Sequence, residues 1–182
     1  MISGSLVGLR AVEQTDLPLL KDWRNLPDFR KNFREFRELS TENQTLWLQS
    51  LVNNQRSFMF TIVRLADQKP IGAGGLLYID WIARFADFSF YIGENQHYID
   101  TEGYAKESAW LLMNYGYNTL NLNKIWMELY EFDTRKIDFF TNQFAFKKDG
   151  HLRQNCFEDG KYWDSWIISQ LKREFIEIEK PF

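Results

Sequence analysis

The sequence predicts an α+β (mixed α/β) fold: a central mixed, mostly antiparallel sheet flanked by about four helices. Three observations predict it. Apolar residues repeat at helical spacing in some stretches and alternate in others. The alternating runs between Phe58 and Ile92 follow one another across short turns, as antiparallel strands do. Helical and strand-like runs interleave along the whole chain, which fits a sheet with helices laid on it. With 182 residues and 21.8 kDa the chain suits one compact domain, and two domains sharing this length would each be unusually small, so residues 1–182 are read as a single domain.

Ser5 to Arg10 is a short apolar run ending in a charge, read as a strand. Thr15 then offers an N-cap for a helix carrying Leu17, Leu19, Leu20 and Trp23. Arg24 to Ser40 holds Pro27 and no sustained period, so it is read as mostly loop with at most a short helix. Ser40 or Thr41 caps the next helix, which carries Leu46, Trp47, Leu48 and Leu51 and ends near Asn53 and Asn54. The runs from Phe58 and from Ile71 to Ile79 form a hairpin across Asp67-Gln68-Lys69-Pro70. Gly72, Gly74 and Gly75 mark a bulge or a close backbone approach there. A third strand, Phe85 to Ile92, sets Phe85, Asp87, Ser89 and Tyr91 on one face and Ala86, Phe88, Phe90 and Ile92 on the other. A polar loop leads to Gly103 and a helix from Tyr104 to Leu120. Lys124 to Tyr130 is a strand, Thr134 to about Gln143 a helix, and Phe144–Gln154 with Tyr162–Leu171 a closing hairpin across Asp159-Gly160.

Composition narrows the function. At 45% hydrophobic and 26% charged, the chain excludes a disordered tail, a collagen-like repeat and a coiled-coil rod. Aromatics reach 17%, which serves a core or lines a pocket for a flat or extended ligand. A net charge of −3 gives no general attraction to nucleic acid or to an anionic membrane, so neither is expected as a partner. Between Lys21 and Glu38 basic and acidic residues are mixed, and the stretch is read as a solvated face. Cys156 stands alone, so no intramolecular disulfide forms and a cytoplasmic location is expected. Met1 to Arg10 has no signal-peptide pattern, and no run approaches the roughly 18 apolar residues of a membrane span. His97 and His151 have no metal-spaced partners, so no metal is expected. Ser89 lacks the partners of a nucleophile triad.

A strand ending at Ile92-Gly93, a loop, and then Gly103-Tyr104-Ala105 opening a helix present free N–H groups and a positive dipole end. Such a turn seats a phosphate or pyrophosphate, or is a glycine turn with no ligand. The run Ile92-Gly93-Glu94, then Gly103-Tyr104-Ala105-Lys106-Glu107, then Tyr115-Gly116-Tyr117 followed by Leu120, Leu122, Lys124 and Ile125, resembles the cofactor-binding core of the GNAT acetyltransferase superfamily, in its ribosomal-protein-alanine-acetyltransferase-like branch. Phe144-Ala145-Phe146, Gly150-His151-Leu152-Arg153 and Gly160-Lys161-Tyr162-Trp163-Asp164 resemble that branch's closing motifs, and Trp23-Arg24-Asn25 its N-terminal region. The likeness covers nearly the whole chain.

The resemblance implies acetyl-CoA as cofactor and a sheet splayed at its centre, between the strand Phe85–Ile92 and the strand Lys124–Tyr130. It implies pantetheine along Phe90, Tyr91 and Ile92, and a pyrophosphate seat at Ile99, Asp100, Thr101, Glu102, Gly103, Tyr104, Ala105 and Lys106. Asp133 falls where the family has an Asn, and Phe140 or Thr141 where it commonly has a Tyr acid. The loop keeps only the last glycine of the family's pattern, and Asp100 and Glu102 are expected to turn to solvent. In that fold the carboxylates facing the gap are Asp87 and Glu128. Either is the base that takes the amine proton, or a structural partner of a nearby arginine such as Arg84. Tyr130 is the candidate acid, or a rim tyrosine. Trp23, Arg24, Phe33 and Trp81 are expected at the acceptor. The implied activity is transfer of acetyl from acetyl-CoA directly to a primary amine, on a protein N-terminus or a small molecule such as an amino sugar, by a monomer or homodimer. The alternative is a non-catalytic CoA-binding or protein-interaction domain on the same fold.

Overall fold

The computed structural model describes residues 1–176. Its alternating runs become β1 (Ile2–Ser3), β2 (Val7–Ala11), β3 (Phe58–Arg64), β4 (Pro70–Asp80), β5 (Phe85–Ile92), β6 (Lys124–Tyr130), β7 (Lys147–Glu158) and β8 (Lys161–Leu171). They form one open sheet in the order β1-β2-β3-β4-β5-β6-β8-β7. Neighbours are antiparallel except β5 and β6, which run parallel at the sheet's centre. That parallel ladder is short: Phe85 faces Lys124, Ala86 faces Ile125 and Asp87 faces Trp126. Past these residues the strands part, and the sheet is splayed.

A parallel pair needs a crossover, and here it contains α4 (Tyr104–Asn114) and the π-helical turn Tyr115–Thr119. The other helices are α1 (Leu17–Asn25), α2 (Pro27–Arg30), α3 (Thr41–Val52), α5 (Thr134–Phe144) and α6 (Lys172–Phe175). With α4, four helices among the described residues span two or more turns, and α2 and α6 are single turns. Ser40 caps α3 as expected, exchanging hydrogen bonds with Asn43.

Three local readings change. Thr15 is not the cap before α1: Asp16 accepts the Glu13 N–H at 2.9 Å, pairs with both terminal nitrogens of Arg10 at 2.7 Å and accepts from Thr61. The buried carboxylate thereby outcompetes an exposed hydroxyl. The long helix does not run as a regular α-helix to Leu120, because its last turn widens where the buried Tyr117 hydroxyl donates to the Gln170 carbonyl at 2.7 Å. Phe144 ends α5 instead of opening a strand, and Ala145 turns the chain with φ 54. Its apolarity serves the core rather than a strand face.

Each face of the sheet carries its own cluster. The larger joins α4 and α5 to Ala86, Phe88, Phe90 and Ile92 of β5. The smaller joins Leu20, Trp23 and Phe29 to Ala73, Tyr91 and Tyr98 on the opposite face. The close approach expected in β4 is present: a Cβ on Gly75 would lie 2.1 Å from the Phe58 carbonyl oxygen. Among the described residues no helix is long and apolar enough to cross a membrane, and no cluster of three His, Cys, Asp or Glu side chains is placed to hold a metal.

Candidate active site

Where β5 and β6 separate, α1, residues 32–39 and α3 border a cavity of about 660 Å³ on the side of the smaller cluster. Alternation on β5 sends Asp87, Ser89 and Tyr91 toward it, and β6 adds Glu128. Asp87 and Glu128 are brought together by one side chain that the sequence did not single out. Arg34 Nη1 lies 2.6 Å from Asp87 Oδ2, and its Nε lies 3.5 Å from Glu128 Oε2. Arg34, rather than Arg84, is therefore the arginine partner. Arg84 occupies the turn before β5, where its carbonyl accepts from Asn123 and Lys124. Glu128 is held on its other oxygen by Ser165 Oγ at 2.9 Å and by the Asn155 amide. Burial pushes the Asp87 carboxyl above its ordinary range even though Arg34 pulls the other way. Tyr130 sits on the same face of β6 but at its rim, tilted against Phe132 at 5.5 Å and outside the cavity lining. Burial pushes its hydroxyl up to about 12.

The expected acceptor residues divide. Arg24 and Phe33 line the cavity, with the guanidinium 3.9 Å above the ring centroid. Trp23, one position earlier on α1, turns away and packs edge-on against Tyr91 as a core residue. Trp81 lies on the surface beside Phe58 and donates to the Gln55 carbonyl at 3.0 Å. Neither reaches the cavity. The stretch from Lys21 to Glu38 is thus not wholly a solvated face. Arg30, Lys31 and Arg37 make exposed pairs, while Arg24 and Arg34 turn inward.

Lys136 of α5 was also unforeseen. It is 5% exposed, lines the cavity, and places Nζ 4.7 Å from the Tyr98 ring centroid and 5.7 Å from that of Phe33. Burial lowers its pKa to about 8. A signal was present in its spacing four residues before Phe140, on the buried face of the helix.

Of the expected cofactor residues, Phe90 and Tyr91 border the cavity and the others do not. The Gly93 N–H bonds the Ile71 carbonyl, so odd-numbered residues of β5 direct their main chain to β4 and even-numbered ones toward the gap. Tyr91 thus faces β4. Ile92 faces the gap, but both its N–H and its carbonyl are taken by Tyr98, at 3.0 and 2.9 Å. Phe90 keeps a main-chain edge along the gap while its side chain is fully buried.

At the start of α4, Gly103 adopts φ 100, a left-handed conformation that favours glycine. Asp100 does not turn to solvent. Its carboxylate accepts from Glu102 N at 2.7 Å, Tyr104 N at 3.1 Å and Ala105 N, and it is 8% exposed. These are free amides of a helix start, so the pull of that terminus on an anion is met from within the chain. Thr101, Glu102 and Lys106 are exposed, and Ile99 and Tyr104 are half-buried. Asp133 caps α5 through the Lys136 N–H and accepts the Tyr98 hydroxyl at 2.6 Å. Tyr98 thereby spans the mouth of the splay, from the end of β5 to the start of α5. Phe140 is fully buried among Phe88, Phe90, Phe139, Phe144 and Phe146, and presents no surface to a ligand.

Known proteins share this fold. A family model described as an acetyltransferase (GNAT) domain matches residues 7–141. The uncharacterized N-acetyltransferase p20 of Bacillus licheniformis is 28% identical over 170 residues, covering 92% of this chain and 93% of that protein. A spermidine N-acetyltransferase from Vibrio cholerae, in complex with CoA and spermine, matches with a TM-score of 0.86 at 22% identity, over 96% of this chain and 100% of that one. A dodecameric structure of spermidine N-acetyltransferase from the same organism gives a TM-score of 0.79 at 23% identity, over 96% and 98% of the two chains. At such identities the structural likeness is one of fold.

Proposed function

The chain belongs to the GNAT acetyltransferase family, whose members use acetyl-CoA, and from that premise we propose that it acetylates the primary amine of a small molecule held in the cavity bordered by α1 and α3. The observation that carries this reading is the Asp87–Arg34–Glu128 group at the point where β5 and β6 part. The non-catalytic alternative is set aside.

Acetyl-CoA supplies the acetyl group, whose C–S bond breaks as the C–N bond to the amine forms. The amine must be neutral to attack, so a carboxylate has to take its proton. Asp87 suits that task, because burial raises its affinity for a proton. Glu128, fixed by Ser165, Asn155 and Arg34, is oriented for the same role or for steering the ammonium form inward. Arg34 holds the two carboxylates in one geometry. Tyr130 remains the candidate acid for the departing sulfur, reached along the rim of β6.

The order of its motifs supports the ribosomal-protein-alanine-acetyltransferase-like branch, and an amino sugar or a protein N-terminus presents the same reacting amine. The proposal treats residues 1–182 as one domain, of which the last six lie outside the described residues. It keeps a cytoplasmic monomer or homodimer. The test is steady-state acetylation of an amine panel by Asp87→Asn and Glu128→Gln. Loss of the acid-side arm of the pH–rate profile in either variant supports the reading, and wild-type-like profiles in both reject it.

A further inference from the structure

Resting on that function, we infer that Arg24 and Lys136 form a subsite for an anionic group, a carboxylate or a phosphate, carried by the molecule being acetylated. Among the described residues, neither cationic group has an ion-pair or hydrogen-bond partner for its side chain. Asp87 and Glu128 are already engaged by Arg34, and Asp133 by Tyr98 and the start of α5. Glu35 pairs with Arg37. Lys136 is 5% exposed and lines the cavity together with Arg24. Both cations approach the one Phe33 ring, at 3.9 and 5.7 Å from its centroid.

Aromatic faces offset part of this charge, but they leave the N–H donors of both groups without acceptors. Two like charges withdrawn from water repel, and burial lowers the pKa of both. A bound anion relieves both costs at once. Gln44, 6% exposed on the same cavity and with no side-chain hydrogen bond among the described residues, adds a neutral donor and acceptor nearby. The Asp87 end thus receives an amine while the Arg24 end receives an anion. The acceptor class is a small amine bearing a carboxylate or a phosphate, the opposite of a polycation.

The experiment compares kcat/KM for matched acceptors in the full chain with acetyl-CoA: phosphoethanolamine against ethanolamine, and γ-aminobutyrate against propylamine, with spermidine alongside. The anionic member of each pair is expected to win by about tenfold or more, as for a hydrogen bond to a charged group. In Arg24→Gln and Lys136→Met that ratio should fall toward one, and Lys136→Arg, which keeps the charge, should restore most of it. Equal ratios in wild type and variants, or a wild-type preference for spermidine or the neutral amines, overturn the inference. A second arm replaces acetyl-CoA by succinyl-CoA with propylamine. A gain there that Arg24→Gln abolishes places the anion on the donor and overturns its assignment to the acceptor. If no amine is acetylated, the proposed function fails first. Calorimetric binding of phosphoethanolamine to the CoA-loaded protein then decides the subsite alone: binding weakened in both variants supports it, and no binding rejects it.

Discussion

The two ends of the splay satisfy their charges in opposite ways. At the α4 end the chain supplies its own anions: Asp100 takes the first amides of α4, and Asp133 takes the start of α5 together with the Tyr98 hydroxyl. At the cavity end Arg24 and Lys136 make no direct ion pair among the described residues: Glu35 attracts Arg24, and Asp133 and Asp87 attract Lys136, only through space. A helix start that is already capped costs little to fold and must give something up to receive a phosphate, whereas unpaired buried cations cost stability until a ligand arrives. The first end is built for folding and the second for binding.

The contrast sharpens most at the carboxylates. Asp87→Asn should lower kcat by about a hundredfold or more, since it removes the proton acceptor while keeping the shape. Stopped-flow or steady-state thiol release measures this, and a rise in KM with kcat unchanged would move Asp87 from proton transfer to acceptor binding. Next comes Asp100→Ala. It strips the acceptor from three amides and should destabilise the chain by about 2 kcal/mol in urea denaturation. A change near zero would mean that water replaces the cap at no cost, and the two ends would then be alike.

Lys136→Met should stabilise the chain by about 1–2 kcal/mol near neutral pH, because it removes a buried ammonium whose burial outweighs the through-space attraction of Asp133 and Asp87. The sign follows from proton binding. The folded lysine releases its proton near about 8, and an unfolded one near 10.5, so between these values the unfolded chain holds more protons. Wild-type stability therefore rises with pH across that window, and the burial cost is fully present below it. The advantage of Lys136→Met should be greatest below about pH 8 and shrink toward pH 10.5. A constant advantage would show that packing, not charge, decides it. The smallest effect is expected of Glu102→Gln. That side chain is exposed, so CoA affinity should change by about twofold or less, and less still at high salt. Gly103→Val is a poor probe of phosphate binding by comparison, because φ 100 strains any β-branched residue there and the fold suffers too.

Much of this architecture was legible in the chain. The period of two in Phe85–Ile92 set Asp87 and Tyr91 on one face, and Ser40 ahead of Asn43 marked the start of α3. The partners were not legible. Arg34 sits in a run of mixed charges whose pattern is that of a solvated surface, and it reaches Asp87 from the segment after α2, whose Phe29 packs on Tyr91 of β5. Trp23 and Arg24 are adjacent, and the rotation of about 100° between neighbouring helical residues sends the first to the core and the second to the cavity. Asp100 read as a repulsive charge because sequence gives its sign and not its direction. In the fold it closes on the amides that its charge suits.

Catalysis at the cavity end is the central claim, and mass spectrometry with isotopically labelled acetyl-CoA tests it most directly. The full chain is incubated with a panel of small primary amines, and free thiol and labelled product are read together. The account predicts a labelled N-acetyl amine formed in step with thiol release, both strongly reduced in Asp87→Asn. Thiol release without any acetylated amine, or labelled product formed equally well by Asp87→Asn, would contradict it.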